Sequence, residues 1–181
     1  MSDEAEVLRQ AAEAGDTDAA CSLGLLLRER GETEEAERWF RQAAEAGDTQ
    51  AMFNLGALRF AGGDSDAAER WFRQAAEAGH VKAMYNLGVV LHLRGGDTSD
   101  AVHWYRQAAE TGDLGAMVNL GLLLKERGDI EGAERAYREA AEAGDMDAMF
   151  YLGKLLDERA DLEADSWFQR AAEAGHMGER N

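Results

Sequence analysis

The apolar positions of this chain fall at helical spacing and then start again at a fixed interval. Over Thr49 to Gly79, the residues Ala51, Met52, Leu55, Leu58 and Phe60 follow helical rather than alternating spacing. Gly62-Gly63 ends that run, because glycine reaches the left-handed conformation that a helix C-terminus often needs. Asp64 or Ser65 can accept hydrogen bonds from the free amides of a second helix, and Asp66 and Glu69 suit its positive end. The second helix carries the stripe Ala67, Ala68, Trp71, Phe72, Ala75 and Ala76 before Gly79 closes it. Each such segment predicts a short helical hairpin, helix A followed by helix B.

The hairpin recurs. Ala-Ala-Glu-Ala-Gly, or a one-letter variant, ends at Gly15, Gly47, Gly79, Gly112, Gly144 and Gly175, at intervals of 32, 32, 33, 32 and 31 residues. A near-constant period of this size indicates a stacked array. The expected organisation is a single repeat domain over 1–181. It comprises a leading B-type helix in 1–15, hairpins at 16–47, 48–79, 80–112, 113–144 and 145–175, and a tail at 176–181. The fold class is all-α: an α-solenoid of antiparallel helix hairpins.

Small residues recur where helices should touch. Gly24, Gly56, Gly88, Gly121 and Gly153 sit in the middle of every A helix, although glycine costs about 1 kcal/mol there relative to alanine. Close approach of the paired B helix explains them, with Ala36, Ala68, Ala101, Ala133 and Ala164 as the matching small surface. The large partners are expected to be Trp39, Trp71, Trp104 and Trp167, with Ala136-Tyr137 in their place in the fourth hairpin. These tryptophans read as structural core.

Charge narrows the partners. The net charge of −17, from 36 acidic and 19 basic side chains, repels phosphate backbones and anionic lipid surfaces. It argues against nucleic acid and membrane, and for protein or peptide partners of apolar or basic character. No apolar stretch of about 20 residues is present, and the start Met-Ser-Asp-Glu-Ala-Glu lacks the basic and apolar regions of a signal peptide. One cysteine, Cys21, leaves no internal disulfide framework and fits a reducing cytoplasm. Arginine-rich basic positions, with the Ala, Glu and Gly bias, point to a GC-rich bacterial genome.

Ala-Met-x-Asn-Leu-Gly at 51–56 and 83–88, and with Val at 116–121, resembles helix A of tetratricopeptide and Sel-one-like repeats (SLR). Trp-Phe-Arg-Gln-Ala-Ala-Glu-Ala-Gly, at 39–47 and 71–79, resembles the end of an SLR unit. The short link within each hairpin, such as 30–36, is of tetratricopeptide type and lacks the longer SLR insertion. The resemblance implies a right-handed superhelix whose A helices line the concave side. It also implies an interaction scaffold, because both families serve many different partners.

By that analogy the inward positions of the A helices form a groove for an extended or helical peptide. They include Gln50, Phe53, Ala57 and Phe60, then Lys82, Tyr85, Val89 and His92. They continue with Val118, Leu122 and Lys125, then Phe150 and Lys154. An apolar, aromatic strip with basic punctuation suits a peptide that buries its own side chains. The carboxylate clamp of some tetratricopeptide domains is poorly matched: Asn54 and Lys82 stand at clamp positions, but Cys21, Leu25 and Asn86 do not fit.

Chemistry finds no purchase. His80, His92, His103 and His176 form no metal-ligand pair at one-turn spacing, and Cys21 reads as a small packed thiol. The glycines are spaced by whole repeats and make no phosphate-cradling loop. The chain is therefore expected to be no enzyme and to need no cofactor. Two functions remain. One is a non-catalytic scaffold that binds a peptide or helical segment on the concave A-helix face. The other is a structural, self-assembling, designed or excised array without a defined partner, with homo-oligomers through the array ends.

Overall fold

The computed structural model describes residues 3–178, and among them the chain forms eleven α-helices and no strand. They fall into two compact units, Met1–Arg94 and Gly95–Asn181. The first holds α1 (Asp3–Glu13), α2 (Thr17–Glu29), α3 (Thr33–Glu45), α4 (Thr49–Ala61), α5 (Ser65–Glu77) and α6 (Val81–Arg94). The second holds α7 (Ser99–Glu110), α8 (Leu114–Glu126), α9 (Ile130–Glu142), α10 (Met146–Asp157) and α11 (Ala164–Gly178). Helices this short are marginal alone, so packing must hold them. Within each unit every helix packs against its neighbours in sequence, which is the arrangement of a helical repeat solenoid. The even-numbered helices are the A helices and the odd-numbered ones the B helices.

Aspartates start the A helices. Asp16, Asp48, Asp113 and Asp145 accept from the amides of Ala19, Ala51, Ala116 and Ala148, at 2.9, 2.6, 2.8 and 2.8 Å. Asp64, not Ser65, caps α5 through the Ala67 amide, and Asp129 caps α9 through Gly132. At the other end, left-handed glycines stop the helices. Gly47 has φ +96°, and the amides of Gly47 and Asp48 close back on the Ala44 and Ala43 carbonyls.

Two ends differ. Ala160 takes the left-handed place in the shortened turn of the fifth hairpin, at φ +53°. The sixth glycine, Gly175, ends nothing, since α11 runs on to Gly178. Of the expected tail 176–181, residues 179–181 lie outside the described residues.

The mid-helix glycines do admit a large side chain from the B helix, but it is not the expected one. A Cβ built on Gly24, Gly56, Gly121 or Gly153 would stand 2.6, 2.5, 2.5 or 2.8 Å from a ring atom of Phe40, Phe72, Tyr137 or Phe168. The ring on the glycine is the residue after the tryptophan position. Phe40, Phe72, Tyr105 and Tyr137 are fully buried, whereas Trp39, Trp71 and Trp104 are only half-buried and Trp167 alone is inside. The smaller rings fit a helix-to-helix gap that the larger indole would force open. Ala36, Ala68, Ala101 and Ala133 are wholly buried, as the close approach requires.

Candidate interaction surface

In the first unit, α4 carries Gln50, Phe53, Ala57 and Phe60 along one stripe, and α6 carries Lys82, Tyr85, Val89 and His92. Gln50 and Lys82 are exposed, and Phe60 is 38% exposed. Phe53, Ala57, Tyr85, Val89 and His92 are half-buried. The stripe is thus an apolar floor with polar side chains standing out of it, at least part of which meets solvent.

His80 joins the heads of the two helices. It stands where the other A helices have a capping aspartate, and its Nδ1 accepts from the Ala83 amide at 3.2 Å. The remaining ring nitrogen, Nε2, therefore carries the hydrogen and donates to Gln50 Oε1 at 3.3 Å. The ring also stacks on Phe53, with centroids 4.8 Å apart and planes at 17°. Phe53 also leans on Phe72, with ring centroids 5.8 Å apart, so its ring is held in place. Burial, and next the charge of Lys82, push the His80 pKa below its ordinary value. His80 is not among the groove positions expected from the sequence. The signal was there: His80 interrupts the series Asp16, Asp48, Asp113, Asp145.

In the second unit, Val118 of the expected stripe is buried, and Leu122 and Lys125 are half-buried. Lys125 Nζ is 2.7 Å from Glu158 Oε1. Phe150 is 48% exposed and meets Phe168 and Tyr151 edge to face, each at 5.9 Å. The Lys154 ammonium stands 5.8 Å from the Phe150 ring centre. Beside Phe150, a pocket of about 430 Å³ is lined by Met146, Asp147, Phe168, Ala171 and Ala172.

Other candidates lose their chemistry in the fold. Cys21 is buried, and burial together with the carboxylate of Asp48 pushes its thiol up to about 12, so it stays a protonated packing group. Asn54, a clamp position, is 1% exposed and accepts from Arg28 Nη1 at 3.0 Å, which ties α2 to α4 and removes it from solvent. Among the described residues no three His, Cys, Asp or Glu side chains form a set that can hold a metal ion. Among them, too, no helix is long and apolar enough to cross a membrane.

The geometry has known counterparts. A tetratricopeptide repeat model matches residues 3–51, 23–79, 53–116 and 118–176. No curated protein matches the sequence. Among solved structures, the chain is similar to c5321, a protective antigen present in uropathogenic Escherichia coli strains that displays an SLR fold. The identity is 28% and the TM-score 0.78, over 97% of this chain and 44% of the antigen, so this chain spans less than half the antigen's length. It is also similar to a Sel1 repeat protein from Oxalobacter formigenes, at 26% identity and TM-score 0.73, over 97% of this chain and 84% of that one. YrrB, a tetratricopeptide protein with an unusual peptide-binding site, shares the fold at 22% identity and TM-score 0.69, over 94% and 93% of the two chains. With the model matching nearly its whole length, this chain belongs to the tetratricopeptide repeat family, and its relatives in structure include Sel1-like repeat proteins.

Proposed function

We propose that the chain is a non-catalytic scaffold that holds a peptide or helical segment of a partner protein on its A-helix face, the concave face in the families it resembles. In the first unit the bed is Phe53, Ala57, Phe60, Tyr85 and Val89, with Gln50, Lys82 and His92 supplying polar contacts. In the second unit the A-helix stripe has its own members, Leu122, Phe150 and Lys154, with Val118 buried and Lys125 paired to Glu158. The observation that carries the reading is Phe53: an aromatic side chain at the stripe's head, still half-exposed, yet locked between Phe72 and His80. A preorganised aromatic anchor is what a peptide groove needs, because little ordering remains to oppose binding. The acidic field favours an apolar or basic segment over nucleic acid or an anionic membrane, and the single cysteine suits a reducing cytoplasm.

Removing the apolar and basic character of the stripe tests this. Phe60→Glu with Lys82→Glu should abolish capture of a reproducible partner from the source proteome, while the melting curve stays cooperative. Unchanged capture by a folded double variant would remove the groove from the account.

A second reading has its own observation. Met146 and Phe150, at 46% and 48% exposed, frame the apolar pocket between α10 and α11, a patch suited to a second copy of the chain. Sedimentation at increasing concentration decides it: Phe150→Glu should abolish any dimer, and a monomer throughout rejects the reading.

A further inference from the structure

The B-helix side of the second unit carries a vacancy that the repeat itself explains. Ala136 of α9 stands where the other four hairpins have Trp39, Trp71, Trp104 and Trp167. One turn earlier, Gly132 stands where α3 has Glu35. Between α7 and α9 the surface opens into a pocket of about 230 Å³, its floor made by Ala109, Leu120, Leu124, Gly132 and Ala136, with Arg106 on its wall.

The corresponding place in the first unit is also a hollow, of about 280 Å³, but its floor is closed: Arg9, Glu35, Arg38, Trp39 and Gln42 line it, with the Trp39 indole where the second unit shows bare alanine and leucine. There Arg9 of α1 lies over the Trp39 ring, 6.0 Å from its centre, and its Nη1 is 2.5 Å from Glu35 Oε1. Arg106 is the counterpart of Arg9 in the repeat. On α9 the two positions hold neither an indole nor a carboxylate, and among the described residues Arg106 forms no ion pair. Elsewhere in the same unit the contact is kept in part: Arg138, another counterpart of Arg9, reaches Glu163 at 3.3 Å, one turn before Trp167. The chain therefore presents an arginine, an apolar floor and a hole, and in its other hairpins an indole occupies the corresponding position.

We propose that this pocket receives a tryptophan side chain of a partner protein, with the indole resting on Ala109, Leu120, Leu124 and Ala136 beneath the Arg106 guanidinium. The chemistry selects the occupant. A flat apolar ring gains burial on the floor and attraction to the cation above it. Glu110, Asp129 and Glu139 also line the pocket, opposed by Arg106 and Arg135, so a free carboxylate ligand is disfavoured. An indole is neutral, and its N–H can donate to one of those carboxylates. A free ring would gain only this pocket, whereas a side chain brings flanking residues onto α7 and α9, which is why a protein is the assigned source. This surface lies on B helices and does not depend on the A-helix groove, so either can fail alone.

The test is an amide-resolved NMR titration of the full chain with N-acetyl-tryptophanamide, with N-acetyl-leucinamide and free indole in parallel arms. The expected result is saturable shifts at the amides of Ala109, Leu124 and Ala136, with a dissociation constant in the millimolar range. Ala136→Trp, which fills the hole from within, should weaken this at least about tenfold and raise the melting temperature. Should that variant not fold, Ala136→Leu fills less of the hole and should still weaken binding severalfold. Absence of shifts at those amides, equal shifts from the leucine amide, or unchanged titration of the filled variants would overturn the proposal. Free indole binding about tenfold more tightly than the tryptophan amide would assign the pocket to a small molecule instead, and would overturn it equally.

Discussion

Replacing Gly56 by alanine should destabilise the chain, although alanine is the better helix former. In an exposed helix the change would add about 1 kcal/mol of stability. Here the new methyl would stand 2.5 Å from Phe72 Cδ1, 2.6 Å from Cε1 and 3.0 Å from Cγ. Ordinary carbon contacts lie near 3.5–4.0 Å, so the ring or the helix must give by about 1 Å. Phe72 is 1% exposed, which leaves the ring nowhere to swing without disturbing the α4–α5 contact. Overpacking of this severity costs about 3 kcal/mol, which leaves a net loss of about 2 kcal/mol after the helical gain. For a chain of this size that corresponds to a fall in melting temperature of about 4–8 °C. Thermal and urea unfolding followed by circular dichroism measure it. Combining the change with Phe72→Leu should recover at least about 1 kcal/mol, because the branched side chain vacates the ring's edge. A Gly56→Ala variant as stable as the parent or more so would refute the close-approach argument.

Three further outcomes follow from local geometry. Ala160→Gly should raise stability by about 0.5–1 kcal/mol, because φ +53° is a conformation that alanine enters at a cost and glycine does not; a drop in the melting curve would contradict it. Tyr137→Phe should be neutral or stabilising by up to about 1 kcal/mol, since the Tyr137 hydroxyl is buried without a hydrogen-bond partner, and a loss of more than that in urea unfolding would show an overlooked contact. His80 gives the chain a pH dependence of definite sign. Its folded pKa lies below 6.5, so the unfolded chain takes up the proton first, and the His80 contribution is full above 6.5 and lost as pH falls through the folded value. His80→Asp, which restores the capping carboxylate of the other A helices, should lose less stability than the parent between about pH 7.5 and about pH 5.5; parallel curves would show that His80 is not the group responsible.

Much of this fold could be read from the sequence because its devices repeat. Hairpin limits follow from Gly15 to Gly144 and from the aspartates beside them, and each such signal is a local backbone requirement. The glycine at the centre of helix A announces close approach for the same reason. What spacing does not decide is which of two adjacent aromatics fills the gap. Trp71 and Phe72 lie on one broad stripe about 100° apart around the helix, and only packing puts Phe72 inward. Gly175 shows the opposite failure, a matching motif whose helix simply continues.

The site was legible in part. An apolar A-helix stripe follows from periodicity, but the exposure of each member depends on what packs beside it. Val118 goes inside while Phe60 and Phe150 stay out. His80 and the hollow at Ala136 are both departures from the repeat. Each shows its consequence only when neighbours from other helices are in place: Gln50 and Phe53 for one, Arg106 and Leu124 for the other.

The central claim, that the chain works by holding a partner on its A helices, is most directly tested by a photo-crosslinking residue placed at position 60 on α4 and, separately, at position 70 on the exposed side of α5. The account predicts a discrete adduct from position 60 and none from position 70. Adducts from position 70 alone, or equal adducts from both, would contradict it.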